Sequence, residues 1–135
     1  MAGISPTART IKYLRECGYV GDVVERFLPY AGKFGLRKDF LGFADLIVIR
    51  KDEGIIAVQS TGSAHSEHVR KLSDSECTEN MLEWLSSGGR VRVISWRKVK
   101  LKRGGKAERW QPRIAEFLYE NDKLTIIENG KTTEL

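Results

Sequence analysis

Only two cysteines, Cys17 and Cys77, occur in the 135 residues, too few for a disulfide framework, so a reducing, cytoplasmic compartment is expected. No stretch approaches the roughly 18 apolar residues of a membrane span, and Met1 to Cys17 contain no apolar core of signal-peptide length. A soluble protein with no membrane partner is the expectation. Internal repeats, low-complexity tracts and interior linkers are missing too, which makes residues 1–135 a single expected domain, long enough to bury a core without staples. The two histidines, His65 and His68, stand three apart on one helix face, and neither cysteine has the neighbours that would complete a zinc site. A phosphate contact, a general base and an ordinary solvated first turn all remain open for them.

Charge, by contrast, is plentiful and unevenly placed. The net charge is +5, yet Arg90 to Arg113 contain ten Lys and Arg against Glu108 alone, a +9 segment that leaves −4 for the rest. Such a concentration points to a polyanion-binding face. Trp96 and Trp110 lie at its flanks and are candidates for stacking on bases or ribose. The plainer alternative is a solvated hairpin with snorkelling lysines and core tryptophans.

Ser5-Pro6 reads as an N-cap followed by a first-turn proline, and Ile11, Tyr13, Leu14 and Cys17 form a helical stripe ended by Gly18. Gly21-Asp22 reads as a turn, Val23–Leu28 as a strand stopped by Pro29, and 30–38 as a loop. Strands over about 43–49 and 55–60 are joined by a five-residue hairpin, Arg50–Gly54. A helical stretch follows Thr61-Gly62-Ser63, with Val69, Leu72, Met81, Leu82 and Leu85 facing inward and Gly88-Gly89 at its end. Ser73-Asp74-Ser75-Glu76 has capping-box spacing, so the helix is expected to break and restart there. Val91–Trp96, Trp110–Phe117 and Leu124–Ile127 read as further strands, with a turn at Arg103–Lys106. The class is mixed α/β: an αβββαβ core over about 6–97 and a small basic β appendix over about 98–135. A helix between the third and fourth strands makes that pair parallel, with a right-handed connection.

Two polar residues interrupt this pattern. Asp45 opens the apolar run Leu46–Ile49, and Gln59 ends the run Ile55–Val58. A carboxylate or amide beside a β core costs several kcal/mol unless paired, hydrogen-bonded or metal-bound. The two therefore mark a candidate site; a turn-capping Asp45 and a solvent-facing Gln59 are the alternative.

The runs Lys38-Asp39-Phe40-x-Gly42-Phe43-x-Asp45, Val58-Gln59-x-Thr61 and Val69-Arg70-Lys71-Leu72, in an αβββαβ order, resemble the PD-(D/E)XK nuclease superfamily. The likeness spans about residues 20–97 and is to its small phage and bacterial, VRR-NUC-like or junction-resolvase-like members. It implies a restriction-endonuclease-like core and Mg²⁺ or Mn²⁺ held by oxygen ligands. Asp45 becomes the principal ligand, Gln59 takes the acid position, and the Ser60 backbone carbonyl is the third ligand. Thr61 stands where the superfamily has its lysine, and a threonine brings no positive charge. Lys71 is the favoured substitute, with Arg70 or Lys38 as others. Glu25 is the expected second acid, on the first strand with Val23 and Phe27, with an ion pair to a nearby Arg or Lys as its alternative. Glu16 is the position the superfamily uses more often, and Asp39 is a further option, with a turn or capping role as its alternative.

Two functions follow from the resemblance. One is a metal-dependent endonuclease hydrolysing DNA, branched or flapped forms included. Asp45, Gln59, Thr61, Lys71 and Glu25 would be its catalytic set, and Lys38, Arg70, Arg97, Lys98, Lys100, Lys102, Arg103 and Lys106 its nucleic-acid contacts. The other is a DNA-binding module of the same fold with little or no catalysis. DNA is the expected partner with RNA left open, and a homodimer is the expected form. A more distant reading is a basic protein that binds an acidic protein partner.

Overall fold

A computed structural model describes residues 4–73 and 77–135 of the chain. Helix α1 spans Pro6–Glu16; the Ser5 hydroxyl accepts the Ala8 N–H at 3.1 Å, Pro6 fills the first turn, and Gly18 leaves the helix at φ +92°. Each end thus uses the residue suited to it, an oxygen for orphan N–H groups and a glycine for the left-handed exit.

Among the described residues, nine strands follow from β1 to β9: Val20–Val23, Arg26–Leu28, Leu36–Lys38, Leu46–Arg50, Gly54–Thr61, Arg90–Lys100, Glu108–Glu120, Lys123–Glu128 and Lys131–Glu134. Seven form one sheet in the order β1-β4-β5-β6-β7-β8-β9, and β2 and β3 make a separate two-stranded hairpin. Helices α2 (His65–Ser73) and α3 (Thr78–Ser86) connect β5 to β6, which pair in parallel from Ile56–Arg90 to Thr61–Ser95. The other neighbours in the sheet are antiparallel.

The sheet is covered on both faces. Ile11 and Leu14 of α1 pack on Leu46, Val48, Ile56, Val58, Ile94 and Trp96, while Leu72 and Met81 of α2 and α3 pack on Ala57, Val91, Val93 and Phe117. Two-sided cover explains why Ile56–Val58 reads as an unbroken apolar run rather than an alternating one, with Ile55 half exposed at the strand's start. Full burial of one such Val, Leu, Ile or Phe side chain contributes roughly 1.5–3 kcal/mol.

The strand expected over Val23–Leu28 is two strands. The Asp45 carbonyl accepts both the Val24 N–H (2.8 Å) and the Glu25 N–H (3.3 Å), which ends the ladder and sends Arg26–Leu28 off to pair with Leu36–Lys38. Glu25 therefore lies between β1 and β2, not on the first strand, and the expected loop 30–38 supplies β3. Gly21-Asp22, read as a turn, lies inside β1. The strands expected as a β appendix are the far half of the same sheet, with β7 its longest member at 13 residues. The segment holding the proposed capping box, 74–76, lies outside the described residues.

Candidate metal centre and nucleic-acid face

The β4–β5 ladder sets Leu46 opposite Val58, so Asp45 and Gln59 are the next pair along and share one face. The Asp45 N–H donates to the Val58 carbonyl at 2.9 Å. Asp45 is 6% exposed, and its Oδ2 accepts the Ser60 N–H at 2.7 Å. The shared Asp45 carbonyl brings Glu25 alongside, and a tight turn closed by Phe40 N–H to Ala44 O (2.9 Å) carries Asp39 to the same place. Oxygens of Glu25, Asp39 and Asp45 all lie within 4.8 Å of one another.

Three carboxylates this close repel. The Asp45 pKa is pushed up to about 8, first by burial and then by the Asp39 carboxyl hydrogen-bonded to it and by the charges of Asp39 and Glu25; the Ser60 N–H works the other way. Arg37, 3.9 Å from Glu25, is half of an ion pair at the rim. A cluster of hard oxygen donors that resists full ionisation fits a divalent cation such as Mg²⁺ or Mn²⁺.

Around the cluster is a cavity of about 320 Å³ lined also by Gln59, Ser60, Thr61, His68 and Lys71. Six sequence-predicted residues, Glu25, Asp45, Gln59, Ser60, Thr61 and Lys71, thus come together. Gln59 is 2% exposed, with its Oε1 3.0 Å from His68 Nδ1. With the Gln59 amide oxygen as the acceptor, this contact suits the neutral tautomer that carries its proton on Nδ1 and leaves Nε2 able to accept. Burial first, then Lys71, lowers the His68 pKa and favours that neutral ring. The Ser60 hydroxyl meets Thr10 at 2.7 Å. Lys38 lines the adjoining groove of about 910 Å³, which shares Asp39 and Lys71 with the cavity.

Other expectations fall elsewhere. Arg70 lines a different cavity, with His65, Arg113 and Glu128, so of the two helix cations only Lys71 borders the carboxylates. The cavity takes its wall from the start of α1, Ser5 to Thr7, and Glu16 stands about 15 Å along the helix axis at the other end. His65 is buried, hydrogen-bonded through Nδ1 to Ser95 Oγ, and Nε2 faces Glu128 at 3.5 Å. Trp96 is 6% exposed and donates to Thr10 Oγ1 at 2.8 Å, so it is a core residue and not a stacking platform.

The +9 segment is not one surface. Arg90 and Arg92 form a part-buried network with Glu53 and Glu116, in which Glu116 accepts from Arg92 Nε at 2.6 Å and from Arg90 Nη2 at 2.7 Å. Arg113 pairs with Glu128. The remaining cations, Arg97, Lys98, Lys100, Lys102, Arg103, Lys106 and Arg109, are all exposed.

Asp39, Arg37 and the His68–Gln59 pair acquire their places only from the fold. The positions of His68 three residues after His65 and of Asp39 six before Asp45 carried a hint, but nothing local fixed which way either faced. No family model, curated protein or solved structure matches the chain.

Proposed function

We propose that the protein is a metal-dependent endonuclease that hydrolyses phosphodiester bonds in DNA. The observation carrying this reading is the Glu25–Asp39–Asp45 cluster, whose oxygens converge within 4.8 Å at the end of paired strands, beside Lys71. The strand order β1-β4-β5-β6, with a helical crossover before its parallel pair, agrees with the PD-(D/E)XK resemblance. Glu25, Asp39 and Asp45 would hold the cation, with Gln59 and the Ser60 carbonyl close by. A bound Mg²⁺ or Mn²⁺ polarises a phosphate oxygen and lowers the pKa of an attacking water. Lys71 supplies the positive charge that Thr61 lacks at the lysine position, and Lys38 meets the phosphate from the adjoining groove. His68, held by Gln59 with Nε2 unprotonated, accepts the proton of the attacking water. The cytoplasm, where Cys17 and Cys77 stay reduced, and a homodimer with two sites on opposite strands belong to the same proposal.

One feature favours a second reading, a DNA-binding module without catalysis: Thr61 in place of lysine, with Gln59 in place of an acid. Cleavage of labelled linear, flap and four-way-junction DNA in Mg²⁺, Mn²⁺ or EDTA, wild type beside Asp45→Ala, separates the two. Metal-dependent cutting that disappears in the variant is expected. Binding without cutting in every metal would transfer the proposal to the second reading. No helix among the described residues is long and apolar enough to cross a membrane.

A further inference from the structure

Strands β6 and β7 outrun their sheet. Pairing of β5 with β6 stops at Thr61–Ser95, and pairing of β7 with β8 begins only at Ala115, yet β6 and β7 stay paired to Lys100–Glu108. Trp96 is the last β6 residue in the core beneath α1, and past it α1 reaches the ribbon through Arg9 over the Trp110 ring. Beyond it Arg97–Lys100 and Glu108–Gln111 run on as a two-stranded ribbon of about 13 Å. The Leu101 N–H to Ala107 carbonyl bond (3.0 Å) closes its tip. Seven exposed cations lie on this ribbon and its loop against Glu108 alone, so the charge left after the Arg90, Arg92 and Arg113 ion pairs is concentrated here.

We propose that this ribbon enters the major groove of duplex DNA. Two strands stand about 4.8 Å apart and a side-chain-bearing sheet is about 10 Å thick, which suits the roughly 12 Å width of that groove. The deep, narrow major groove of duplex RNA does not admit it. By alternation, Lys98 and Lys100 project from one face and Arg97 and Arg109 from the other, so both walls of phosphates meet cations. A single strand is a poorer fit because the ribbon offers it little free ring: Trp96 is buried, and the half-exposed Trp110 ring already carries the Arg9 guanidinium at 3.9 Å and Lys98 Nζ at 5.2 Å. The ribbon starts where the Trp96 N–H meets the Gly62 carbonyl (3.2 Å), and Gly62 also lines the carboxylate cavity. Duplex seated on the ribbon is therefore held beside that cavity. The inference rests on DNA being the substrate under the proposed function, but not on its hydrolysis.

The test is fluorescence anisotropy in EDTA with a short labelled duplex, across about 50–200 mM salt. Lys98→Gln/Lys102→Gln/Arg103→Gln is expected to weaken binding about 100-fold and to flatten the log–log salt slope by about 2.7. Lys12→Gln/Lys51→Gln/Lys131→Gln, which removes the same charge from exposed positions elsewhere, is expected to change neither. Independently of any variant, duplexes bearing bulky pyrimidine C5 substituents should lose wild-type binding, while a minor-groove ligand should not compete. Equal losses in both triple variants, displacement by the minor-groove ligand, or equal affinity for single-stranded DNA or duplex RNA overturns the proposal. Ribbon-dependent binding without cleavage in metal defeats only the nuclease reading, and cleavage indifferent to the ribbon defeats only this one.

Discussion

A carboxylate with a pKa near 8 is a thermodynamic liability at neutral pH. In the unfolded chain Asp45 ionises near the usual carboxylate value of about 3.9, whereas in the folded protein it keeps its proton until about pH 8. The folded state then binds more protons than the unfolded one, so without metal this residue makes stability fall as pH rises from about 4 to about 8. At its steepest the slope is about 1.4 kcal/mol per pH unit. Asp45→Asn removes the ionisation while its amide oxygen can still accept the Ser60 N–H. It should stabilise the protein by about 1–3 kcal/mol at pH 7 in EDTA and flatten the slope; denaturant unfolding between pH 5 and 8 reads both. A wild type whose stability rises over that range would refute the assignment. Mg²⁺ or Mn²⁺ should raise the Tm of the wild type and leave Asp45→Asn almost unmoved, since binding to the native state alone stabilises it. Asp45 was legible because a lone acid opened an apolar run. Asp39 was legible only as one option for a second acid and Arg37 not at all, because each reaches the cluster through a turn or a hairpin, and no local pattern encodes that distance.

At the level of elements, the short edge strand β1 is what delivers Glu25 to the cluster, and Gly21 permits its close approach to β4. A Cβ at position 21 would lie 2.3 Å from the Ile47 carbonyl oxygen and 2.6 Å from the Val48 Cα, backbone atoms that cannot swing aside. Gly21→Ala should therefore cost about 1–3 kcal/mol, as overpacking does, and should also shrink the Tm rise expected with Mg²⁺, because β1 shifts with Glu25 at its end. An unchanged metal response would separate β1 from the site. The alternating and unbroken apolar runs made β4, β5 and β6 readable, and Ser5-Pro6 made α1 readable. The split of Val23–Leu28 was hidden because β-formers, Val23, Val24 and Phe27, lie on both sides of Glu25-Arg26; what divides them is one carbonyl of a distant residue. Gly21-Asp22 looked like a turn for the same reason, since glycine in a strand announces close packing only once its neighbour is known.

Across the whole molecule, charge sorts into two regions with different work. Around Tyr19, at the end of α1, Arg90 and Arg92 are neutralised by Glu53 and Glu116, and the Tyr19 hydroxyl joins through Glu53 and Arg92. This network links the turn of the β4–β5 hairpin to β6 and β7, so it holds the sheet together. The ribbon and the carboxylate cavity lie toward the end where β5 meets Ser95. Glu116→Ala leaves Arg92, whose side chain is 13% exposed, with Glu53 and Tyr19 as its remaining partners. Stripping one partner from a buried pair costs 3–5 kcal/mol when nothing replaces it; with Glu53 still in place, about 2 kcal/mol is expected. The same change adds a positive charge overall, so if net charge governed DNA binding, affinity would rise. If the ribbon governs it, the Tm falls while affinity and salt slope hold within about twofold. Melting and anisotropy on Glu116→Ala therefore decide whether the +9 segment acts as one basic surface or as an ion-paired structural base carrying the separate tip proposed to bind DNA.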